Sequence, residues 1–200
     1  MCILIAKPRG AQFPPAVHIL NGIENNPDGF SLAYNAGASL VTFKTMSAAR
    51  FMTKYKALAA TLDAAETGMI IHARIATHGS VSLKNCHCWQ SFADTDDAMA
   101  FAHNGILSVP ARDGMTDSET FLRDYFEPAF AAGSWLSASN VIRSKIGASK
   151  FAFIDRVGNI RRFGHFISES GCYYSNASYS YRGTRCADPR YWFNANPLAI

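Results

Sequence analysis

The sequence predicts an α+β protein built from stacked layers of sheet and helix. Apolar runs of strand length come in sets, a pair of helical segments lies between the sets, and no strand–helix–strand unit is repeated. Of the 200 residues, 48% are hydrophobic and 17% are charged, so the chain can bury a sizeable core. No linker or internal repeat divides the chain, and we expect one domain over residues 1–200.

The strands are predicted from short apolar runs and the turn residues that bound them. CILIAK, directly after Met1, is typical of a buried strand, and FSLAYN with SLVTFKT predicts a hairpin around Ala-Gly-Ala. The last run, CYYS, is predicted as an edge strand. The predicted strands lie within 2–7, 30–35, 39–45, 69–76, 98–107, 150–164 (two strands around a Gly-Asn turn) and 172–175.

Two helices have clear start signals. Ser47 is a good N-cap and is followed by apolar residues at helical spacing, which predicts a helix to about Glu66, closed by Gly68. Thr116 and Glu119 fit a capping box that opens a second helix, predicted to end before Pro128. A short third helix is predicted over 138–146. We assign no element to the proline-punctuated segment 8–20 or to the aromatic tail from 176.

Composition excludes several classes of protein. The formal charge of +4 comes from scattered lysines and arginines, so we expect no nucleic-acid partner. No basic segment precedes the N-terminal apolar run, and no run approaches the roughly 18 residues that span a membrane. The cysteine count is odd, which favours a reducing, cytoplasmic setting over a disulfide scaffold. The cysteines are Cys2, Cys86, Cys88, Cys172 and Cys186.

Cys2 directly follows the initiator methionine, and its removal would free the α-amine of the cysteine. That amine has a pKa near 7.7–8.0, so part of it is unprotonated at neutral pH and can accept the thiol proton. Such a residue carries both nucleophile and base, and we expect no cofactor and no metal. The structural alternative is that Cys2 is a small buried residue on a strand.

Polar groups interrupt two of the predicted strands. HARIATHG at 72–79 and AHNG at 102–105 place charged and amide side chains where apolar strands end, and TDSE at 116–119 adds an acidic helix start. Burying such groups is costly unless each is paired, which indicates a site. The alternatives are structural: a surface arginine at Arg74, a hairpin turn at Asn104 and Gly105, and a first-turn carboxylate at Asp117.

Taken together and in this order, Cys2, NPDGF, HARIATHG, AHNG and TDSE resemble the class II glutamine amidotransferases. The resemblance covers residues 1–124, and NPDGFSLAYN is most similar to the stand-alone members of that family. It implies the four-layer αββα sandwich of the N-terminal nucleophile hydrolases, with the strands and aromatic tail of 150–200 completing the domain.

The resemblance also implies the reaction. Cys2 matches the nucleophile that attacks the side-chain amide of glutamine, forms a γ-glutamyl thioester and releases ammonia, with activity only after Met1 is removed. Asn104 and Gly105 match the oxyanion hole, which donates from the asparagine amide and the glycine N–H. After the matching part the chain has no room for a synthetase or transferase domain, so we expect an acceptor enzyme on a separate chain.

Four residues match the part of the family site that binds substrate. Arg74 matches the arginine that pairs with the glutamine α-carboxylate, which suits a planar, permanently charged guanidinium. Asp117 matches the aspartate that binds the α-ammonium, although the family motif there usually has a Thr-Glu pair. Thr77 and His78 are expected to assist through hydrogen bonds. The headgroup of free glutamine, or of a γ-glutamyl compound, is therefore the expected ligand.

The sequence departs from the family pattern at two positions and leaves other readings open. Cys88 stands where stand-alone members have proline, and Ile75 replaces an aromatic residue.

Two alternative functions remain open. In the first, the same pocket is used to hydrolyse γ-glutamyl amide bonds in a larger molecule. Another is a module without turnover that binds a partner or a metal. Its metal ligands would come from Cys86, His87 and Cys88 with His72, His78 or His103, although zinc sites usually space paired cysteines more widely.

Overall fold

The computed structural model describes residues 2–77, 79–110, 112 and 114–181. Residues 182–200 of the aromatic tail, which include Cys186, lie outside the described residues, as do Met1 and His78. The strands are β1 Ile3–Lys7, β2 Phe30–Ala36, β3 Ser39–Thr45, β4 Met69–Ala73, β5 Trp89–Ser91, β6 Met99–Asn104, β7 Lys150–Asp155, β8 Ile160–Phe163, β9 Ile167–Glu169 and β10 Cys172–Tyr174. The helices are α1 Ala16–Asn25, α2 Ala48–Thr61, α3 Asp117–Thr120 and α4 Glu127–Lys145, with a π-helical turn Phe121–Phe126 between the last two.

Two antiparallel sheets form the centre of the fold. The larger has the strand order β3-β2-β4-β1-β10-β9, and the smaller has the order β5-β6-β7-β8. The sheets face each other through mostly small side chains, which allow close approach. These include Leu4, Ala33, Ile70, Ala100, Ala102, Ala152 and Ile154.

Helices cover the outer face of each sheet. On the larger sheet, α1 and α2 bury Ile19, Ile23 and Phe51 against the strands. On the smaller sheet, Phe126 and Ile142 pack with the strand phenylalanines. The result is the expected four-layer αββα sandwich, which confirms the predicted fold class. No helix in the described part of the chain is both long and apolar enough to cross a membrane.

The predicted strands are confirmed, with one correction of position. β10 is not an edge strand: it pairs with β1, where Ile5 lies opposite Tyr174, and with β9 on its other side. β9 has only three residues, two of them exposed, so its sequence carries little strand signal. Because β10 pairs with β1, the residue that follows β10 also lies beside β1, where Ser175 N donates to Leu4 O at 2.9 Å.

The helix α1 has no counterpart in the sequence prediction. It begins directly after Pro15, and no side chain caps its N-terminus. It buries Ile19 and Ile23, so its stability comes from packing rather than from a cap. Because prolines precede this short apolar face, no helix was predicted here from the sequence.

The helix α2 starts where predicted and ends earlier. Ser47 Oγ accepts the N–H of Arg50 at 3.3 Å, which confirms the N-cap. The helix stops at Thr61 rather than at Glu66, because the ammonium of buried Lys7 donates to the carbonyls of Ala64 and Thr67 at 2.6 and 2.5 Å. These bonds hold the segment after the helix in a non-helical path.

The second predicted helix starts after its N-cap Thr116, as expected, but continues beyond its predicted end before Pro128. Thr116 Oγ1 accepts the N–H of Glu119 at 3.2 Å, which confirms the N-cap. The returning bond of the predicted capping box is not formed by Glu119 Oε2, which is buried without a hydrogen-bond partner among the described residues. The helix continues through Pro128, because the π-helical turn before it shifts the bonding pattern and Glu127 N donates to Leu122 O. The break comes at Gly133 and Ser134, where φ is −164° and 51°. The helix predicted over 138–146 is the second part of α4.

Candidate active site

Cys2 lies beside the loop that follows β4. Because β1 pairs with β4, with Ile3 opposite Ala73, the residue before β1 lies next to the residues after β4. The Cys2 Sγ accepts the N–H of Ile75 at 3.4 Å and lies 3.5 Å from the Ile75 carbonyl oxygen. The side chain is half-buried. The antiparallel register therefore brings the first candidate residue to the HARIATHG segment.

Arg74 lies between Ala73, where β4 ends, and Ile75, which contacts Cys2. It is 3% exposed, which excludes a surface role. Its backbone N–H donates to Gly29 O and its carbonyl accepts from Asp28 N, both at 2.8 Å. Its guanidinium donates to the carbonyl of Ser80 at 3.0 Å. The turn before β2 and the loop after Gly79 thus fix a buried cation next to Cys2.

The NPDGF turn, which precedes β2, is hydrogen-bonded to the loop that follows β4. Asp28 Oδ2 accepts the N–H of Ala76 at 2.8 Å, so a carboxylate holds the backbone just after Ile75. Gly29 has a φ of +131°, and a Cβ added there would lie 2.5 Å from the Cys86 sulfur. From the sequence, NPDGF contributes only as a motif of the family resemblance and Asp28 has no predicted role, although Asp-Gly before a strand is a signal that can be read.

Thr77 and the loop after it form the outer side of the site. Thr77 is exposed. Beyond it, Asn85 Nδ2 donates to the carbonyl and the hydroxyl of Ser80 at 2.9 and 3.2 Å. Lys84 Nζ donates to Gly114 O at 2.9 Å. The loop that holds the Arg74 guanidinium is therefore fastened to the residues just before α3.

Asn104 and Gly105 lie where β6 ends. Asn104 is 1% exposed, and its Nδ2 donates to the hydroxyl oxygen of Ser175 at 2.7 Å. Gly105 has a φ of +148°, and a Cβ there would lie 2.1 Å from the Ser149 hydroxyl, so only glycine fits. The two residues are not a hairpin turn, because α3 and α4 separate β6 from β7.

Ser175 and Asn176 connect the two halves of this arrangement. Ser175 N donates to Leu4 O at 2.9 Å, and its hydroxyl oxygen accepts Leu4 N at 2.9 Å. Asn176 Nδ2 donates to the carbonyl of Cys2 at 2.7 Å. Cys2 and Asn104 therefore contact the same dipeptide. Neither residue was singled out in the sequence, where a polar pair after the CYY strand was the only available signal.

Asp117 is the first residue of α3, and it is partly exposed. One carboxylate oxygen accepts the N–H of Leu107 at 2.8 Å, and the other accepts the N–H of Ser118 at 2.8 Å. His103 Nδ1 lies 2.7 Å from the Ser118 hydroxyl. Asp117 is therefore more than a first-turn carboxylate, since it also ties α3 to the loop that follows Gly105.

Three buried imidazole rings lie next to the candidate site. His72 and His87 stack with ring centroids 3.8 Å apart, and His87 is parallel to His103 at 6.1 Å. Burial lowers the pKa of His72 to about 3 and of His103 to about 4, and it lowers the pKa of His87 as well. All three rings are neutral at pH 7. Among the described residues, no three His, Cys, Asp or Glu side chains are grouped so that they could hold a metal ion.

The electrostatics of Cys2 favour the thiol over the thiolate. Burial raises the pKa of the Cys2 thiol above its usual value, whereas the Ile75 backbone N–H and the Arg74 charge oppose that rise. The thiol therefore needs a base before it can act as a nucleophile.

Comparison with known families shows to which family the chain belongs. Residues 20–132 match the family model of the class II glutamine amidotransferases. The chain belongs to this family. The match begins after Cys2 and includes the segments that carry Arg74, Asn104 and Asp117. No curated protein sequence matches the chain.

Two solved structures with TM-scores above 0.5 have a similar fold. The glutamine phosphoribosylpyrophosphate amidotransferase of B. subtilis, complexed with ADP and GMP, superposes with a TM-score of 0.60 and 14% identity over 90% of this chain and 42% of that one. The allosteric regulatory enzyme of purine biosynthesis gives 0.56 and 16% over 78% of this chain and 36% of that one. This chain thus spans less than half the length of either protein. A predicted glutamine amidotransferase from Pseudomonas aeruginosa PA01 gives 0.47 and 16%, over 86% and 78%.

Proposed function

We propose that this class II glutamine amidotransferase acts as a glutaminase that supplies ammonia to an acceptor enzyme on a separate chain. The observation that supports this most strongly is the position of the Cys2 sulfur, in contact with Ile75 beside the buried Arg74. Ser175 and Asn176 link the same cysteine to Asn104. The proposed nucleophile Cys2, the cation Arg74 and the amide donor Asn104 are thus placed by three separate strands, β1, β4 and β6.

The reaction starts when removal of Met1 frees the α-amine of Cys2. With a pKa near 7.7–8.0, this amine takes the thiol proton as the sulfur attacks the amide carbon of the glutamine side chain. The carbonyl oxygen becomes an oxyanion, which accepts hydrogen bonds from Asn104 Nδ2 and Gly105 N. Each such donor is worth about 2.7–4 kcal/mol in the transition state.

The intermediate then collapses to a γ-glutamyl thioester. The carbon–nitrogen bond breaks, the Cys2 ammonium returns its proton to the leaving nitrogen, and ammonia departs. Water, deprotonated by the same amine, adds to the thioester and releases glutamate and the free thiol. Because burial raises the pKa of the thiol, the amine is needed to take its proton in the first half-reaction. In the second half-reaction the ammonium that forms when the amine deprotonates water protonates the departing Cys2 sulfur.

The amino-acid headgroup of glutamine is recognised by opposite charges. In this proposal the Arg74 guanidinium, which is held by Ser80, pairs with the α-carboxylate. Asp117 receives the α-ammonium on the lone pairs that Leu107 and Ser118 leave unused. In this proposal Thr77 and His78 add hydrogen bonds to the substrate.

Ammonia release from glutamine tests this function. Purified protein that lacks Met1 should produce ammonia and glutamate in equal amounts, and Cys2→Ala should produce neither while it keeps the wild-type Tm. Cys86→Ala is the matched control, since it removes another thiol near Gly29. Full activity in Cys2→Ala, or loss in both variants, would contradict the proposal. A panel of γ-glutamyl amides, assayed in parallel, distinguishes glutamine from larger substrates.

A further inference from the structure

We infer that Ser175 is a positioning residue for the amidotransferase reaction and that its hydroxyl fixes the amide of Asn104 relative to the strand that carries Cys2. This inference rests on the proposed glutaminase function. Ser175 does not touch the substrate in this scheme. It acts through Asn104 and through the backbone of β1.

The Ser175 hydroxyl oxygen accepts two hydrogen bonds from distant parts of the chain. Asn104 Nδ2 donates at 2.7 Å and Leu4 N donates at 2.9 Å, and the backbone N–H of Ser175 returns a bond to Leu4 O at 2.9 Å. All three residues are buried, with 5% or less of each exposed. Because these bonds lie in a low-dielectric interior, each is stronger and more directional than a surface bond.

The Asn104 amide depends on this contact for its orientation. Its Oδ1 is buried and has no hydrogen-bond partner among the described residues. The bond from Nδ2 to Ser175 is therefore what holds the side-chain plane. A primary amide has two N–H groups, so one can bind Ser175 while the other points at the reacting carbonyl. An oxyanion donor acts only if it lies about 2.7–3.1 Å from the developing charge, so a rotation of the amide should slow the reaction.

The dipeptide is itself rigidly attached. Asn176 Nδ2 holds the carbonyl of Cys2 at 2.7 Å, and its Oδ1 accepts Ser178 N at 3.0 Å. Asn21 Nδ2 binds the carbonyl of Tyr179 at 2.8 Å, and the Tyr179 hydroxyl donates to Glu169 at 2.5 Å. The segment after β10 is thus fastened to α1 and β9. Through Ser175 this fixed segment holds the side-chain amide of Asn104, and through Asn176 it holds the backbone carbonyl of Cys2.

The kinetic test compares Ser175→Ala with Ser178→Ala. The Ser178 hydroxyl is buried and has no partner among the described residues, so its removal is a matched control. We expect Ser175→Ala to lower kcat for glutamine by about 10- to 100-fold with less than a threefold change in KM, since only transition-state stabilisation is lost. Ser178→Ala should stay within twofold in both constants, and Ser175→Thr, which keeps the hydroxyl, should recover most of kcat. An unchanged kcat in Ser175→Ala, or a rise confined to KM, would overturn the inference.

A second readout does not depend on turnover. The side-chain amide signals of Asn104 in a ¹⁵N–¹H NMR spectrum, assigned by their loss in Asn104→Asp, should move in Ser175→Ala and stay in Ser178→Ala. The rate of Cys2 alkylation by iodoacetamide should change less than twofold, because the thiol itself is not altered. If the wild-type chain proves inactive on glutamine, the proposed function fails, while the Asn104 signals still decide whether Ser175 holds the amide. Signals that do not move in Ser175→Ala would refute the inference.

If Ser175→Ala does not fold, Ser175→Cys provides the same test, because the thiol leaves no cavity and is a much weaker acceptor. It should lower kcat in the same direction and shift the same Asn104 signals. A Ser175→Cys protein with wild-type kcat and unmoved Asn104 signals would count against the inference as firmly as the alanine variant.

Discussion

Asp117 Oδ2 accepts the backbone N–H of Leu107 at 2.8 Å, and this bond joins the start of α3 to the loop that follows Gly105. One carboxylate therefore has two tasks in our proposal: it holds the loop that carries an oxyanion donor, and it receives the α-ammonium of glutamine. The two tasks use different properties of the side chain, since the first needs an acceptor and the second needs a negative charge.

Substitution of Asp117 by asparagine should separate these tasks. Asparagine keeps one oxygen that can accept Leu107 N but loses the charge and the second acceptor, which binds Ser118 N, so Asp117→Asn should raise KM for glutamine by about 10- to 100-fold with a smaller loss of Tm than Asp117→Ala. Asp117→Ala removes both properties and should also lower Tm, because Leu107 N is left without its acceptor. Steady-state kinetics and thermal denaturation give both numbers. A normal KM in Asp117→Asn would remove Asp117 from the headgroup site.

Arg74 should act mainly on substrate binding. Arg74→Lys keeps the charge but cannot form a two-pronged contact with a carboxylate, and we expect it to raise KM for glutamine by about tenfold or more with a smaller effect on kcat. Arg9→Lys is the control, because Arg9 is a surface arginine that pairs with Glu66. Glutamine and its analogue without the α-carboxylate should be compared. Equal KM values for Arg74→Lys and wild type would contradict the assignment.

Gly105→Ala should abolish most activity and lower stability. The residue has a φ of +148°, and the new Cβ would lie 2.1 Å from the Ser149 hydroxyl, so the backbone must move away from the expected oxyanion position. We expect kcat to fall at least 100-fold. Gly37→Ala is the control for backbone strain alone, since Gly37 has a φ of +60° and open space around it. Similar activities in the two variants would show that the close packing of Gly105 does not matter for catalysis.

The buried imidazoles should make the protein less stable in mild acid. The folded-state pKa of His103 is about 4, well below the 6.5 of an unfolded histidine, so the unfolded chain binds more protons between these values. The contribution of His103 to the free energy of unfolding should therefore fall as the pH drops from about 7 towards 4 and level off below that. His103 alone should account for at most about 3 kcal/mol of this loss, and His72 adds to it in the same direction.

Urea denaturation at pH 7 and pH 5 measures this dependence. His103→Gln should show a smaller difference between the two pH values than the wild type does. His165→Gln, which removes an exposed imidazole, should show the wild-type difference. If His103→Gln keeps the full wild-type difference, His103 does not titrate as a buried neutral group.

Local signals in the sequence were sufficient for much of the fold. Ser47 and Thr116 cap their helices as expected because a cap is a contact within three residues. Strands such as β1 and β6 are marked by apolar runs. Helix α1 was missed because it has no capping residue, and the helix through Pro128 was cut short because the π-helical turn before it cannot be read from the residue types.

The contacts that assemble the site are far apart in the sequence. Motif order pointed to Cys2, Arg74, Asn104 and Asp117, but no local pattern says that Asn104 binds a serine 71 residues later. The bond from Asn176 to Cys2 spans 174 residues, and it exists only because β10 lies inside the sheet beside β1. Such contacts follow from strand order, which a sequence without strong turn signals between its elements does not fix.

Mass spectrometry of the intact protein, before and after treatment with a glutamine-mimicking electrophile such as 6-diazo-5-oxo-L-norleucine, is the most direct test of the N-terminal nucleophile. We expect a mass without Met1, a single added label that maps to Cys2, and protection by excess glutamine. A chain that keeps Met1 and still hydrolyses glutamine, or a label that maps to Cys86, Cys88 or Cys172, would contradict the mechanism.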